Sequence, residues 1–186
     1  MKQERIPVTI ITGFLGAGKT NLLNKLIRKH PEKKFAIIEN EFGETGIDGG
    51  LIASASESIF ELNNGCICCS LGEDFLLTLE KLLGSSYEFD HLLVETTGIA
   101  DPSGIVDAFV SGSSIQERFK IDSVICVVDA ENMEDLYEEQ PEIRLQLALA
   151  DLVLINKTDC VHPEYLARLT DLINTVNPMA RQEKTI

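Results

Sequence analysis

Gly13, Gly16, Gly18, Lys19 and Thr20 lie in the stretch IPVTIITGFLGAGKT, residues 6 to 20. Their spacing fits GxxxxGK[ST], and they sit between an apolar β-type run and a predicted helix, the context a phosphate-binding loop requires. Glycines let backbone N–H groups curl around an anion, and the helix opening at Lys19 turns its positive end toward it. Lys19 is then placed to reach the β- and γ-phosphates, Ala17 belongs to the cradle, and the Thr20 hydroxyl is a ligand for Mg²⁺.

NKTD, residues 156 to 159, addresses the base. Guanine offers N1–H and N2–H on one edge, and the Asp159 carboxylate can accept both, whereas adenine lacks that arrangement. Lys157 is expected along the ring face, with Asn156 bracing loop and base. In LLVETTG, Glu95 ends a buried run where a Walker B carboxylate belongs, acting on Mg²⁺ through water. Gly98 follows where its N–H can approach the γ-phosphate. Lys19, Thr20 and Glu95 are thus the expected catalytic set.

A second chemistry sits in NNGCICC. Cys66, Cys68 and Cys69 are soft thiolate donors of the kind zinc favours, and Gly65 with Asn63 and Asn64 lets the loop curl so that they can converge. A fourth ligand has to come from elsewhere, either a water or a carboxylate such as Glu39 or Glu44. Redox-active thiols and plain packing are the alternatives. Cys126 reads as core, Cys160 as incidental, and His91 and His162 show no partner pattern.

These residues need a frame. Apolar runs at KFAIIE, SIFEL, HLLVE, IDSVICVVDA (121 to 130) and DLVLIN alternate with segments at helical spacing. The expected helices run from Lys19 toward His30, over EDFLLTLEKLLGS, from Ser103 to about Val110, from Glu131 to Ala150 with a break at Pro141, and from Glu164 to about Val176. The stretch before Phe119 is unassigned, and NPMARQEKTI reads as a further strand or a tail. Continuous apolar strands between helices predict an α/β fold, a doubly wound, mostly parallel sheet with helices on both faces. Each chemical cluster begins where an apolar run ends, so all are expected on one sheet edge, where ligands of such folds bind.

The 186 residues predict a single domain. A formal net charge of −14 argues against nucleic acid or an anionic membrane as partner. No run is long and apolar enough to span a membrane, and MKQERIPV lacks a secretory h-region, so the expected location is cytoplasmic. Five cysteines, three of them crowded together, do not resemble a disulfide framework.

In this order, GFLGAGKT, ENEFGE, GCICC, ETTGIADP and NKTD resemble the CobW-type P-loop GTPases, a family of metallochaperones. The resemblance implies that the chain binds GTP or GDP with Mg²⁺ and hydrolyses GTP; no arginine finger is evident, so without one or a partner turnover is expected to be slow. It implies a transition metal at Cys66, Cys68 and Cys69 with help from Glu39 or Glu44, commonly Zn²⁺, with Co²⁺, Ni²⁺ or Fe²⁺ as other options. It implies coupling of nucleotide state to metal delivery, a recipient metalloprotein, and a smaller C-terminal domain that these residues do not contain. A homodimer is left open. The rival readings are an ATP-dependent small-molecule kinase and a zinc-stabilised nucleotide-binding interaction domain.

Overall fold

The computed structural model describes residues 4–40, 59–64, 73–96, 98, 101–111 and 113–186. The strands are β1 (Ile6–Thr12), β2 (Phe35–Asn40), β3 (Ile59–Asn64), β4 (His91–Glu95), β5 (Phe119–Asp129), β6 (Leu152–Asn156) and β7 (Arg181–Lys184). They form one sheet in the order β3-β2-β4-β1-β5-β6-β7. Every neighbouring pair is parallel; from β1 the chain runs to β2 and the β3 edge, returns to β4 beside β1, then crosses to the other side and proceeds outward through β5, β6 and β7.

The helices are α1 (Lys19–Lys29), α2 (Glu73–Gly84), α3 (Ser103–Ser111), α4 (Ser113–Arg118), α5 (Met133–Glu139), α6 (Pro141–Leu149) and α7 (Pro163–Val176). In α1 the apolar residues Leu23 and Ile27 are one turn apart and buried, Arg28 and Lys29 complement the carbonyl end, and the chain turns out at His30 before Pro31. Proline at their first turns starts α6 and α7, where its missing N–H costs nothing. Pro141 therefore divides the predicted Glu131–Ala150 helix into two. The unassigned stretch before Phe119 is α4, and β5 starts two residues earlier than its apolar run.

Alternation along the strands gives each face its helices. Ile11, Ile37, Leu93 and Val127 pack against Leu23 and Ile27 of α1. On the other face Ile10, Ile38, Leu92 and Val94 meet Phe75, Leu79, Ile105 and Phe109 of α2 and α3. Further along that face, Cys126, Val128, Val153 and Ile155 meet α6 and α7. The β1–β5 pairing carries a bulge at Asp122, since Val8 pairs with Ile121 and Thr9 with Ser123. Before it, odd-numbered Phe119 and Ile121 face the helix-rich side; after it, even-numbered Val124, Cys126 and Val128 do.

Two buried or half-buried side chains, Asn177 and His91, tie neighbouring elements together away from the predicted site. Asn177, buried after α7, donates through Nδ2 to the carbonyls of Leu147 (2.8 Å), Ala148 (3.2 Å) and Ala150 (2.9 Å) and accepts from the N–H of Met179 and Ala180. At the opposite edge of the sheet from the predicted clusters, His91 Nε2 lies 2.9 Å from the Thr9 hydroxyl and its ring contacts Phe35. His91 thus has a partner that its sequence context did not indicate, because Thr9 comes from a different strand. His162 likewise has a role, accepting from the Glu164 N–H at the start of α7.

Candidate nucleotide site

The loop from Gly13 to Gly18 is shaped by backbone positions that no other residue takes comfortably. Gly13 has φ +132°, and an added Cβ would lie 2.1 Å from the Val127 carbonyl oxygen. Gly18, the cap of α1, has φ +104°, and its Cβ would lie 2.6 Å from Asn156 Nδ2. The Lys19 ammonium donates to the Phe14 carbonyl at 3.2 Å, folded back over its own loop and buried. Ala17, fully buried, packs below. A helix start, curled amides and a poised lysine are together an anion cradle.

Beside it, β4 delivers Glu95 next to Ile11 of β1. The Thr20 hydroxyl donates to Glu95 Oε1 at 3.2 Å, so two hard oxygen donors meet at the start of α1. Such a pair suits Mg²⁺, which takes a carboxylate, a hydroxyl and waters. Thr96 continues the contact line, its hydroxyl donating to Thr12 Oγ1 at 3.1 Å with both side chains fully buried. Gly98 touches the cradle itself, since a Cβ there would come within 2.3 Å of the Leu15 nitrogen. Buried Gln146 of α6 donates to the Gly98 carbonyl at 3.2 Å and fixes this approach. Glu39 is the register partner of Glu95 on β2, so the two residues are neighbours at the same edge.

The predicted base loop closes the edge on the other side. Asn156, the last residue of β6, donates from Nδ2 to the Ala17 carbonyl at 2.9 Å, tying base loop to phosphate loop across 139 residues. Lys157 follows with φ +58°, the one non-glycine residue with positive φ among those described. Its Nζ lies 2.6 Å from Oδ2 of Asp129, a buried carboxylate at the end of β5. Burial pushes the Asp129 carboxyl up, but hydrogen bonds from Lys157, the Asn132 amide and the Glu131 N–H outweigh it and hold it below its ordinary value. The same hydrogen bond raises the Lys157 ammonium. Asp159 sits exposed in the 3₁₀ turn Thr158–Cys160, and Thr158 donates its N–H and hydroxyl to the Thr185 carbonyl beyond β7.

Residues 7–183 match the family model described as the CobW/HypB/UreG nucleotide-binding domain. The chain belongs to that family. This CobW/HypB/UreG domain is 33% identical over 185 residues to zinc-regulated GTPase metalloprotein activator 1 of Schizosaccharomyces pombe, covering 96% of the chain and 45% of that relative. Over 158 residues it is 42% identical to the zinc chaperone YjiA of Escherichia coli, covering 83% of the chain and 50% of YjiA. The crystal structure of Zn(II)-bound YjiA GTPase superposes with a TM-score of 0.72 at 31% identity, covering 97% of this chain and 57% of that one. The chain therefore spans about half the length of the curated relatives it matches.

Of the expected site residues, Gly13, Gly16, Ala17, Gly18, Lys19, Thr20, Glu95, Gly98, Asn156, Lys157 and Asp159 all fall on the carboxyl edge of this CobW/HypB/UreG sheet. Glu39 joins them. Glu44, Cys66, Cys68 and Cys69 lie outside the described residues; among the described ones, no group of three or more His, Cys, Asp or Glu converges. Cys126 is core, and burial pushes its thiol up to about 12. No described helix is long and apolar enough to cross a membrane. Three contributors escaped the sequence reading: Asp129, Gln146 and Thr185. Asp129 carried a usable signal, an acid ending an apolar run as Glu95 does. Gln146 carried a weaker one, a polar residue on the same inward stripe as Ile143 and Leu147.

Proposed function

We propose that this domain binds and hydrolyses GTP and couples its nucleotide state to the holding and release of a transition metal, most fittingly zinc, for a recipient metalloprotein. The observation that supports the nucleotide half is the direct tie between the two loops, Asn156 Nδ2 to the Ala17 carbonyl, which would hold a base-reading loop at a fixed distance from a phosphate cradle. Asp159 would read the guanine edge, Lys157 would cover the ring, and the amides from Gly13 to Gly18, with Gly98, would take the phosphates. Lys19 would exchange its bond to Phe14 for the β- and γ-phosphates.

Mg²⁺, held by Thr20 and through water by Glu95, would supply charge neutralisation on the phosphates. Catalysis by the chain's own groups is electrostatic: Lys19 and the loop amides stabilise charge on the transferring phosphoryl group while a water attacks in line. Without an arginine finger, turnover is expected to be slow. The metal half rests on donor chemistry and on kinship. Cys66, Cys68 and Cys69 are soft ligands, with Glu39 or Glu44 as the added carboxylate, and the relatives carry zinc in their names. Glu39 standing in register with Glu95 supports a short route between metal and nucleotide.

The test is a zinc titration of the protein loaded with GTPγS or with GDP. Different affinities in the two states are expected, and by linkage zinc must shift the two nucleotide affinities by the same factor. Equal zinc affinity in both states would sink the coupling, and a preference for ATP over GTP in competition would return the chain to the kinase class.

A further inference from the structure

We propose that Asp129 is a positioning residue for base recognition, acting through Lys157 to hold the whole 156–159 loop in its reading geometry. The proposal rests on the guanine reading of that loop. The backbone of Lys157 is left-handed, φ +58°, a conformation that a side chain with a Cβ resists. Such a conformation persists only where the surroundings over-determine it. Here its neighbours on both sides are recognition residues, Asn156 bonded to the phosphate loop and Asp159 in the following turn.

Asp129 is the side-chain partner of Lys157, beside the backbone bond that the Cys160 N–H donates to the Lys157 carbonyl at 3.0 Å. The 2.6 Å ion pair is the shortest of the contacts to this loop, and Asp129 is itself aligned by the Asn132 amide at 2.9 Å and the Glu131 N–H at 3.0 Å. The carboxylate therefore cannot swing to follow the lysine; the lysine must come to it. The two backbones are locked as well, since Asp129 pairs in register with Asn156 and the Ala130 N–H donates to the Asn156 carbonyl at 3.0 Å. The carboxyl is lowered and the ammonium raised, each shift in the direction that favours the ion pair. Asp129 need not touch nucleotide for this. Its effect is to place the Lys157 stem and, through the backbone, the Asp159 carboxylate.

The experiment is a double-mutant cycle, Asp129→Asn with Lys157→Met, read by titration with GDP and with IDP, whose base lacks the 2-amino group that Asp159 is expected to bind. Expected is a GDP affinity loss of about 10-fold or more for D129N and a GDP-to-IDP preference that collapses with it. In the K157M background D129N should cost less than about 2-fold, because the route is already cut. Thermal midpoints of the nucleotide-free variants separate loop placement from loss of fold. An equal D129N penalty in both backgrounds, or a GDP-to-IDP ratio that D129N leaves alone, overturns the proposal. If wild type itself prefers ADP to GDP, the guanine reading falls and takes this inference with it; if wild type prefers GDP and D129N is silent, only this inference falls.

Discussion

Gly13 and Gly16 lie in the same loop, yet one added methyl group should treat them very differently. At Gly16 (φ +76°) a Cβ meets nothing within 4 Å, so Gly16→Ala should cost only the left-handed backbone term, about 1 kcal/mol. At Gly13 the same atom lands on the Val127 carbonyl, so Gly13→Ala adds overlap to strain and should cost about 3 kcal/mol or more. Urea denaturation of the nucleotide-free variants measures both; equal costs would show that the loop yields where the contact distance says it cannot. Asp159 invites a change of specificity instead. Asn in its place offers a donor that suits the 2-carbonyl of xanthine, so Asp159→Asn should lose about 100-fold or more in GTP affinity and gain XTP binding, read by competition titration.

The carboxyl-edge elements were legible in sequence because motif residues are local: GFLGAGKT, ETTG and NKTD each carry their own strand end. What was illegible depends on residues far apart in the chain. RQEK has no apolar residue, so NPMARQEKTI leaves strand and tail open; the strand option is the one found, with β6 supplying the edge that β7 pairs with. The start of β5 falls outside its apolar run because exposed Lys120 separates Phe119 from Ile121. Asn177 is another long-range device, one amide serving three carbonyls at the end of α6. Asn177→Asp turns that donor into an acceptor facing them and should cost about 3 kcal/mol, more than a typical surface change, by denaturant unfolding. On the β1–β4 pair, burial chiefly, with Lys33 and His30 adding to it and Asp122 opposing, lowers the His91 pKa below 6.5. The folded state thus prefers neutral His91, so its contribution is intact above pH 6.5 and is lost as pH falls through the lower folded value. His91→Gln should flatten the stability difference between pH 7.5 and pH 5 relative to wild type; an unchanged difference would remove His91 from the account.

At the scale of the whole molecule, a net charge of −14 repels the anion that its cradle is built to receive. Attraction must come from the short-range field of Lys19 and the helix start, while the long-range field opposes approach. Raising NaCl from about 20 to 200 mM should therefore speed nucleotide association, the reverse of ordinary electrostatic steering, as stopped-flow mixing would reveal. The bulge at Asp122 has a consequence of a different kind. Because it inserts one residue into β5, it inverts the parity of everything downstream, and Val127 reaches the α1 side on that account. Chain length at this point consequently matters more than side-chain identity: a substitution at exposed Asp122 leaves the downstream parity as it is, whereas removing one residue would exchange inside for outside along the rest of β5.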